Sequence, residues 1–218
     1  FFADCKQQIN SLSVSLMALL LSLAVNIGVG GMVESFRKTF TRWLDQRLAA
    51  ELYIQSSDVK TAEEIQLFLD GEVDAILPII KVSQNVSSVP IDIYGFIPHE
   101  TYEDHWPLLS QSRNPWIELK QNKGLFVNEQ LSRRLNVKPS QRIEFESITG
   151  DVVSLKILGI YSDYGNPKGQ IMIPLKLFRK YFPNENALSF AIRLQEKNIV
   201  KTREKLSAKF SKGAIQIT

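Results

Sequence analysis

Cysteine, histidine and, over one long stretch, charge are what this chain of 218 residues has little of. The single cysteine, Cys5, excludes an intrachain disulfide and with it a small disulfide-stapled scaffold. Two histidines leave little material for nucleophilic chemistry, and no G-x-S-x-G elbow accompanies the serines. No G-x-x-x-x-G-K-[ST] loop is present to cradle ATP phosphates. The net charge is only +3, and basic residues alternate with acids, as in Lys201, Arg203, Glu204 and Lys205. That pattern lacks the basic stripe that nucleic-acid binding requires, so nucleic acid is not an expected partner.

The local absence of charge carries more information. No charged residue lies between Lys6 and Glu34, and from Ile9 to Met32 the chain is mostly apolar. A bilayer-spanning helix needs ~20 such residues at ~1.5 Å each. A secretory signal peptide is the alternative, but its apolar core is only ~7–15 residues and a small-residue cleavage site follows it. This run is longer and no A-x-A-like site follows. The first residue is Phe1 rather than Met, so the chain is expected to be an internal piece of a longer protein.

The membrane segment has two faces. At about 100° per residue, Ser11, Ser15, Ala18, Ser22 and Asn26 form one stripe, opposite Leu16, Met17, Leu20, Ala24 and Ile27. Small and hydroxyl residues allow close helix–helix approach in lipid, so this stripe is expected to face other membrane helices. A lone anchor that happens to carry serines is the plainer alternative. Beyond Gly30-Gly31, Val33, Phe36, Phe40, Trp43, Leu44 and Leu48 keep helical spacing, with Lys38, Arg42 and Asp45 on the other side. The spacing predicts a stalk that continues the helix, or else an amphipathic helix lying on the lipid surface. Lys6 on one flank against Arg37, Lys38, Arg42 and Arg47 on the other would, by the positive-inside rule alone, place the following domain in the cytoplasm.

The remainder reads as an α+β domain. Strands are expected at 51–56, 73–82 and 89–97, with a helix from the capping-box pattern Thr61-Ala62-Glu63-Glu64 to Leu69. Pro78 marks an edge or bulge. The stretch 98–123 reads as less regular, with no helix or strand assigned. A strand at 125–127, a short helix to Leu135, and strands at 142–147, 152–161 and 170–173 follow, with a hairpin turn at Thr149-Gly150-Asp151. A short helix runs from Pro174 to about Phe182. A strand at 188–194, a helix at 198–210 and a strand at 214–218 close the chain. Strand–helix–strand units at both ends predict a split βαβ sheet. The expected organisation is residues 1–50 as transmembrane helix and stalk, 51–97 plus 184–218 as a split βαβ lobe, and 98–183 as an inserted mostly-β lobe.

Two groups of segments carry a family likeness. One is Leu19-Leu20-Leu21-Ser22-Leu23-Ala24-Val25-Asn26-Ile27-Gly28-Val29-Gly30-Gly31-Met32-Val33-Glu34-Ser35-Phe36-Arg37-Lys38-Thr39-Phe40, running on from Trp43 to Ile54. The other is Gly124-Leu125-Phe126-Val127-Asn128-Glu129-Gln130-Leu131, Asn136-Val137-Lys138-Pro139-Ser140-Gln141-Arg142-Ile143 and Leu158-Gly159-Ile160-Tyr161. In this order they resemble the FtsX/MacB-type family of ABC transporter permeases. The resemblance implies a bacterial inner-membrane protein with its soluble domain in the periplasm. It also implies a separate cytoplasmic ATP-binding subunit, a second permease half or copy, and in some members a periplasmic partner protein. The implied role is permease subunit, its extracytoplasmic domain coupling ATP-driven motion to export or extraction of a hydrophobic substrate (lipid, lipoprotein or peptide; some members expel drugs) or to a periplasmic partner. A membrane-anchored sensor or adaptor is the alternative.

No catalytic, cofactor or metal site is assigned. His99-Glu100-Thr101-Tyr102-Glu103-Asp104-His105 is the densest polar cluster, but its spacing lacks a helical i, i+4 zinc pair and it reads as a solvated loop. Gly165-Asn166-Pro167-Lys168-Gly169 reads as a turn rather than a phosphate loop. Asn85-Val86-Ser87 fits the glycosylation pattern, which in a bacterial protein normally carries no sugar. Tyr53, Tyr94, Phe96, Trp106 and Trp116 are candidates for an apolar contact surface, with burial in the core as the commoner fate of such residues.

Overall fold

A computed structural model describes residues 2–163, 167–210 and 213–218. The side chains of residues 2–11, 42, 43 and 45–47 also lie outside the description. The Ser11 end of the serine stripe, the side chains of Lys6, Arg42, Trp43 and Arg47, and the Gly165-Asn166 part of the turn therefore lie outside the described residues. The chain divides into two units, Phe1–Asp45 and Gln46–Thr218.

The first unit belongs to helix α1, Phe2–Arg47. Within it, Leu12–Thr41 is long and apolar enough to cross a membrane. Every residue from Leu12 to Val33 is exposed, Ser15, Ser22 and Asn26 included. In the last turns of that span, Glu34 pairs with Arg37 at 2.9 Å and with Lys38 at 3.6 Å.

In the second unit the elements follow in the order β1 (Leu52–Ser56), α2 (Val59–Leu69), β2 (Ala75–Val86), β3 (Val89–Phe96), α3 (Glu100–His105), β4 (Leu108–Gln111), α4 (Pro115–Lys120), β5 (Leu125–Asn128), α5 (Glu129–Leu135), β6 (Arg142–Glu146), β7 (Val152–Tyr161), β8 (Gly169–Pro174), α6 (Leu175–Tyr181), β9 (Ser189–Arg193), α7 (Ile199–Lys209) and β10 (Ile215–Ile217). The strands hydrogen-bond in the order β10-β1-β9-β2-β3-β8-β5-β7-β4, with β6 on β7. β9 is antiparallel to both β1 and β2, so β1-α2-β2 is a split βαβ unit, and β9-α7-β10 is a second, split by β1. The expected sheet is therefore present.

β2 joins two parts of the sheet. Its first half, Ala75–Ile79, pairs with β9, and its second half, Ile80–Val86, pairs with β3. Pro78 lies in the half bonded to β9 alone, an edge position where a missing N–H costs no ladder bond. The β2–β3 hairpin closes on Ser87 and Ser88, both at positive φ, the geometry of a type I′ turn. β3 then runs parallel to β8, joining the first strands to the segment inserted before β9. At the β6–β7 hairpin, Gly150 takes φ +84°, which the tight turn requires and a side chain would strain.

The strand pleat sorts side chains onto two faces. Leu52, Ile54, Phe190, Ile192, Ile93, Ile171, Leu125 and Ile157 belong to one core, together with α2 (Ala62, Ile65, Leu69), α5 (Leu131), α6 (Phe178) and α7 (Leu206). Their alternate neighbours Leu77, Ala191, Phe96, Met172, Phe126, Leu158 and Tyr161 belong to a second core with Tyr102 of α3 and with Trp116 and Leu119 of α4.

Two local expectations are corrected. α2 starts at Val59, capped by Asp58 rather than by Thr61; the Asp58 carboxylate accepts from the Thr61 N–H at 2.9 Å and from its hydroxyl at 2.8 Å. The stretch 98–123 is not irregular, because it holds α3, β4 and α4. His99 caps α3, its Nδ1 accepting from the Thr101 N–H at 3.2 Å, and Pro115 occupies the first turn of α4. Acidic Glu100 and Glu103 at the start of α3 and His105 at its end complement the helix dipole.

Candidate functional site

The second sheet face carries a cavity of about 230 Å³. It is lined by Tyr53 of β1, Ile79 of β2, Tyr94 of β3, Tyr102 of α3, Trp106, Tyr161 of β7, Asp163, and Gln170 and Met172 of β8. Each strand contributes through the pleat: Met172 stands opposite Tyr94 in the β3–β8 ladder. α3 and the residue that follows it supply another wall, since Tyr102 and Trp106 lie one helical turn apart. Their rings touch at 4.9 Å between centroids. Trp106 also stacks on Tyr161 at 5.6 Å and on Phe96 at 5.6 Å.

The hydroxyls are unequally served. Tyr161 donates to Gln170 Oε1 at 2.7 Å. Tyr53 accepts from the Ala50 N–H at 3.2 Å. The Tyr102 hydroxyl is buried and has no hydrogen-bond partner among the described residues. Burial is the main cause that raises all four phenols above their usual range, so they are neutral hydroxyls at physiological pH.

Beside the cavity, buried Asp92 anchors a polar cluster on the same face of β3. Ser83 donates to it at 2.6 Å, Lys81 pairs with it at 3.0 Å and Lys168 lies at 3.9 Å. Burial is the largest influence on this carboxyl and pushes it up. The Ser83 and Lys81 hydrogen bonds with the lysine charges outweigh it, and the net position is below the usual carboxylate range. Lys81 Nζ also lies 5.7 Å from the centre of the Tyr94 ring.

The five aromatic residues singled out in the sequence part company here. Phe96 and Trp116 are core, 1% and 8% exposed. Tyr53, Tyr94 and Trp106 are half-buried and line the cavity. Tyr102, Tyr161, Asp163 and Gln170 complete it, and nothing in the local sequence marks them. His99 and His105 are both engaged at α3: His99 Nδ1 with Thr101, and His105 Nδ1 with the Thr101 carbonyl at 2.8 Å. The cavity wall offers hydroxyls, an amide and one carboxylate around aromatic surface, a set suited to binding rather than to bond cleavage.

The profile of the MacB-like periplasmic core domain matches residues 12–209. The chain belongs to that family. Among solved structures, this MacB-like domain is similar to the periplasmic region of MacB from Actinobacillus actinomycetemcomitans, with TM-score 0.52 and 10% identity over 77% of this chain and 87% of that one. It is also similar to the extracellular domain of the noncanonic ABC-type transporter YknZ from Gram-positive bacteria, with TM-score 0.50 and 13% identity over 78% of this chain and 98% of that one. At these identities the likeness shows the shared fold. No curated protein matches the chain by sequence.

The family corrects the charge-count expectation. A MacB-like periplasmic core domain lies outside the cytoplasm, whereas the flanking Lys and Arg residues favour the cytoplasm. The physical reason is that the positive-inside bias acts through short loops, while whole domains are translocated largely regardless of charge.

Proposed function

We propose that the chain is a membrane helix and the periplasmic domain of a permease subunit in an ABC-type transporter of a bacterial inner membrane. A separate cytoplasmic subunit hydrolyses ATP, and a second permease half or copy completes the membrane part. The periplasmic domain couples ATP-driven motion to export or extraction of a hydrophobic substrate such as a lipid, lipoprotein or peptide, or to a periplasmic partner protein. The division of the soluble unit into a porter-like lobe (51–97 plus 184–218) and an inserted lobe (98–183) is part of the same proposal.

The observation that carries this reading is the extent of the family match. It begins at residue 12, inside the apolar helix, and ends at residue 209, at the end of α7. Helix and sheet thus belong to one inherited unit rather than to a domain with an unrelated anchor. The test is purification of the full-length protein in mild detergent. Stoichiometric recovery of an ATP-hydrolysing subunit, with ATPase activity changed by deleting residues 46–218, is the expected result. Recovery of the protein alone, with no ATPase in any lipid tested, refutes it. The second reading, a membrane-anchored ligand sensor, draws support from the aromatic cavity, and the same purification separates the two.

A further inference from the structure

The cavity's wall at α3 is attached differently from its floor. The strands of the floor are joined to one another by ladders of main-chain hydrogen bonds. Residues 98–107 run instead between Pro98 and Pro107, and neither proline has an N–H to extend a ladder. The main-chain bonds of α3 stay local: the Tyr102 and Glu103 N–H groups donate to the His99 carbonyl at 3.0 and 3.2 Å, and the Trp106 N–H donates to the Tyr102 carbonyl at 2.9 Å. Among the described residues no main-chain hydrogen bond joins 98–105 to a strand or to another helix. Side chains hold the segment. Tyr102 meets Phe96 edge-on at 5.5 Å, and Trp106 reaches Trp116 at 6.4 Å besides its contacts with Phe96 and Tyr161. Glu103 pairs with Lys120, but both side chains are more than a third exposed, so the pair adds little. The closed position also carries a penalty. Tyr102 is only 3% exposed and its hydroxyl has no hydrogen-bond partner among the described residues, a cost that exposure to water removes. Segments with few ties to their surroundings open locally while the rest of a domain stays folded.

We propose that residues 98–107 are a movable wall, which opens as one local unit between its two prolines and controls entry to the cavity while the sheet stays folded. Thr101 on α3 and Met172 on the cavity floor, 2% and 7% exposed in the closed position, become reachable together when it opens. The inference goes beyond the permease reading and does not depend on it, because the motion is measured with no ATP-binding subunit present.

The test is thiol labelling of the full chain in dodecyl maltoside micelles, in a Cys5→Ser background, with fluorescein maleimide at urea concentrations below the unfolding transition. Single thiols are placed by Thr101→Cys, Met172→Cys and Ala191→Cys; Ala191 is fully buried in the second core, on the interior strand β9. Thr101→Cys and Met172→Cys should be labelled within about threefold of each other and at least about 100-fold faster than Ala191→Cys, with rates that urea leaves unchanged, because local opening exposes little surface. Met172→Cys labelled as fast as a free thiol in unfolded chain shows that the wall controls nothing and overturns the proposal. Labelling of either Thr101→Cys or Met172→Cys as slow as that of Ala191→Cys overturns it, as does one urea dependence shared by all three. Hydrogen exchange of the unsubstituted chain, followed by mass spectrometry, needs no cysteine. Residues 98–107 should exchange independently of urea while β8 exchanges only through urea-sensitive global opening, and a matching urea dependence in the two overturns the proposal as well.

Discussion

Gly95 makes the sharpest prediction about how the sheet is held. It lies in β3, directly beneath Phe178 of α6. A Cβ added there would come within 2.4 Å of Phe178 Cγ, 2.6 Å of its Cβ and 2.8 Å of its Cδ2. The Cβ is fixed to the backbone of α6, so rotating the ring does not relieve the contact. Phe178 is itself fully buried, against Phe182 at 5.1 Å and the surrounding core. Overpacking typically costs about 1–3 kcal/mol, and a clash at the root of a side chain belongs at the top of that range. Gly95→Ala should therefore cost about 3 kcal/mol. Phe178→Gly should cost about 5 kcal/mol, from about 4 for the lost ring and about 1 for glycine in a helix. In the double variant every clashing atom is gone, and alanine suits a strand better than glycine by roughly 0.5–1 kcal/mol. The double variant should then cost about 4–4.5 kcal/mol rather than the additive value of about 8, a coupling of about 3.5–4 kcal/mol.

The assay is urea unfolding of residues 46–218 followed by circular dichroism. This unit suffices because its cores contain no described residue before Ala49. With a slope of about 2 kcal/mol/M, Gly95→Ala should lower the midpoint by about 1.5 M in the native background and raise it by about 0.3–0.5 M in Phe178→Gly. An equal loss in both backgrounds would refute the reasoning.

Three further outcomes follow from the same structure. Asp58 caps α2, and its carboxyl lies below the usual range chiefly because the Thr61 N–H donates to it. Its folded value is depressed, so its contribution is present above the unfolded-chain value and is lost as pH falls through the folded one; Asp58→Asn should flatten that acid limb in a stability-versus-pH series. Asp92→Ala removes the partner of Ser83 and Lys81 and should cost about 2 kcal/mol at pH 7. The Asp92 carboxyl is also depressed, so the gap between parent and variant should narrow as pH falls below about 4, read by urea unfolding at each pH. Leu20→Arg places a charge within the exposed apolar run and should reduce membrane integration by about 3–4 kcal/mol of insertion free energy, read as protein released by carbonate extraction.

Elements with a strong local signal were legible. The β6–β7 hairpin shows as two β-rich runs around Thr149-Gly150-Asp151, and α7 as a periodic run between two strands. α3 and α4 were not legible because each is a six-residue helix, too short to show periodicity. Their caps are also unusual: His99 stands where serine or aspartate is usual, and Asn114 makes no side-chain cap. The pairing of β3 with β8 joins residues far apart in the chain, and such a partnership leaves no local trace. The cavity was half legible for the same reason. Aromatic residues could be named, but which of them α3 and α4 would cover depends on helices that the pattern does not reveal. Trp116 sits on α4 and is sealed against Phe126 at 4.9 Å, while Tyr53 and Tyr94 stand on strands and stay half-open.

The side of the membrane on which the domain lies tests the account most directly, because the family and the charge count disagree about it. In a Cys5→Ser background, Glu144→Cys places one thiol on an exposed position of β6, far in sequence from the apolar helix. Intact spheroplasts are treated with a membrane-impermeant maleimide before and after lysis. Full labelling before lysis is the predicted result and places the domain outside the cytoplasm. Labelling only after lysis would put it inside, as the flanking arginines alone would have it, and would contradict the account.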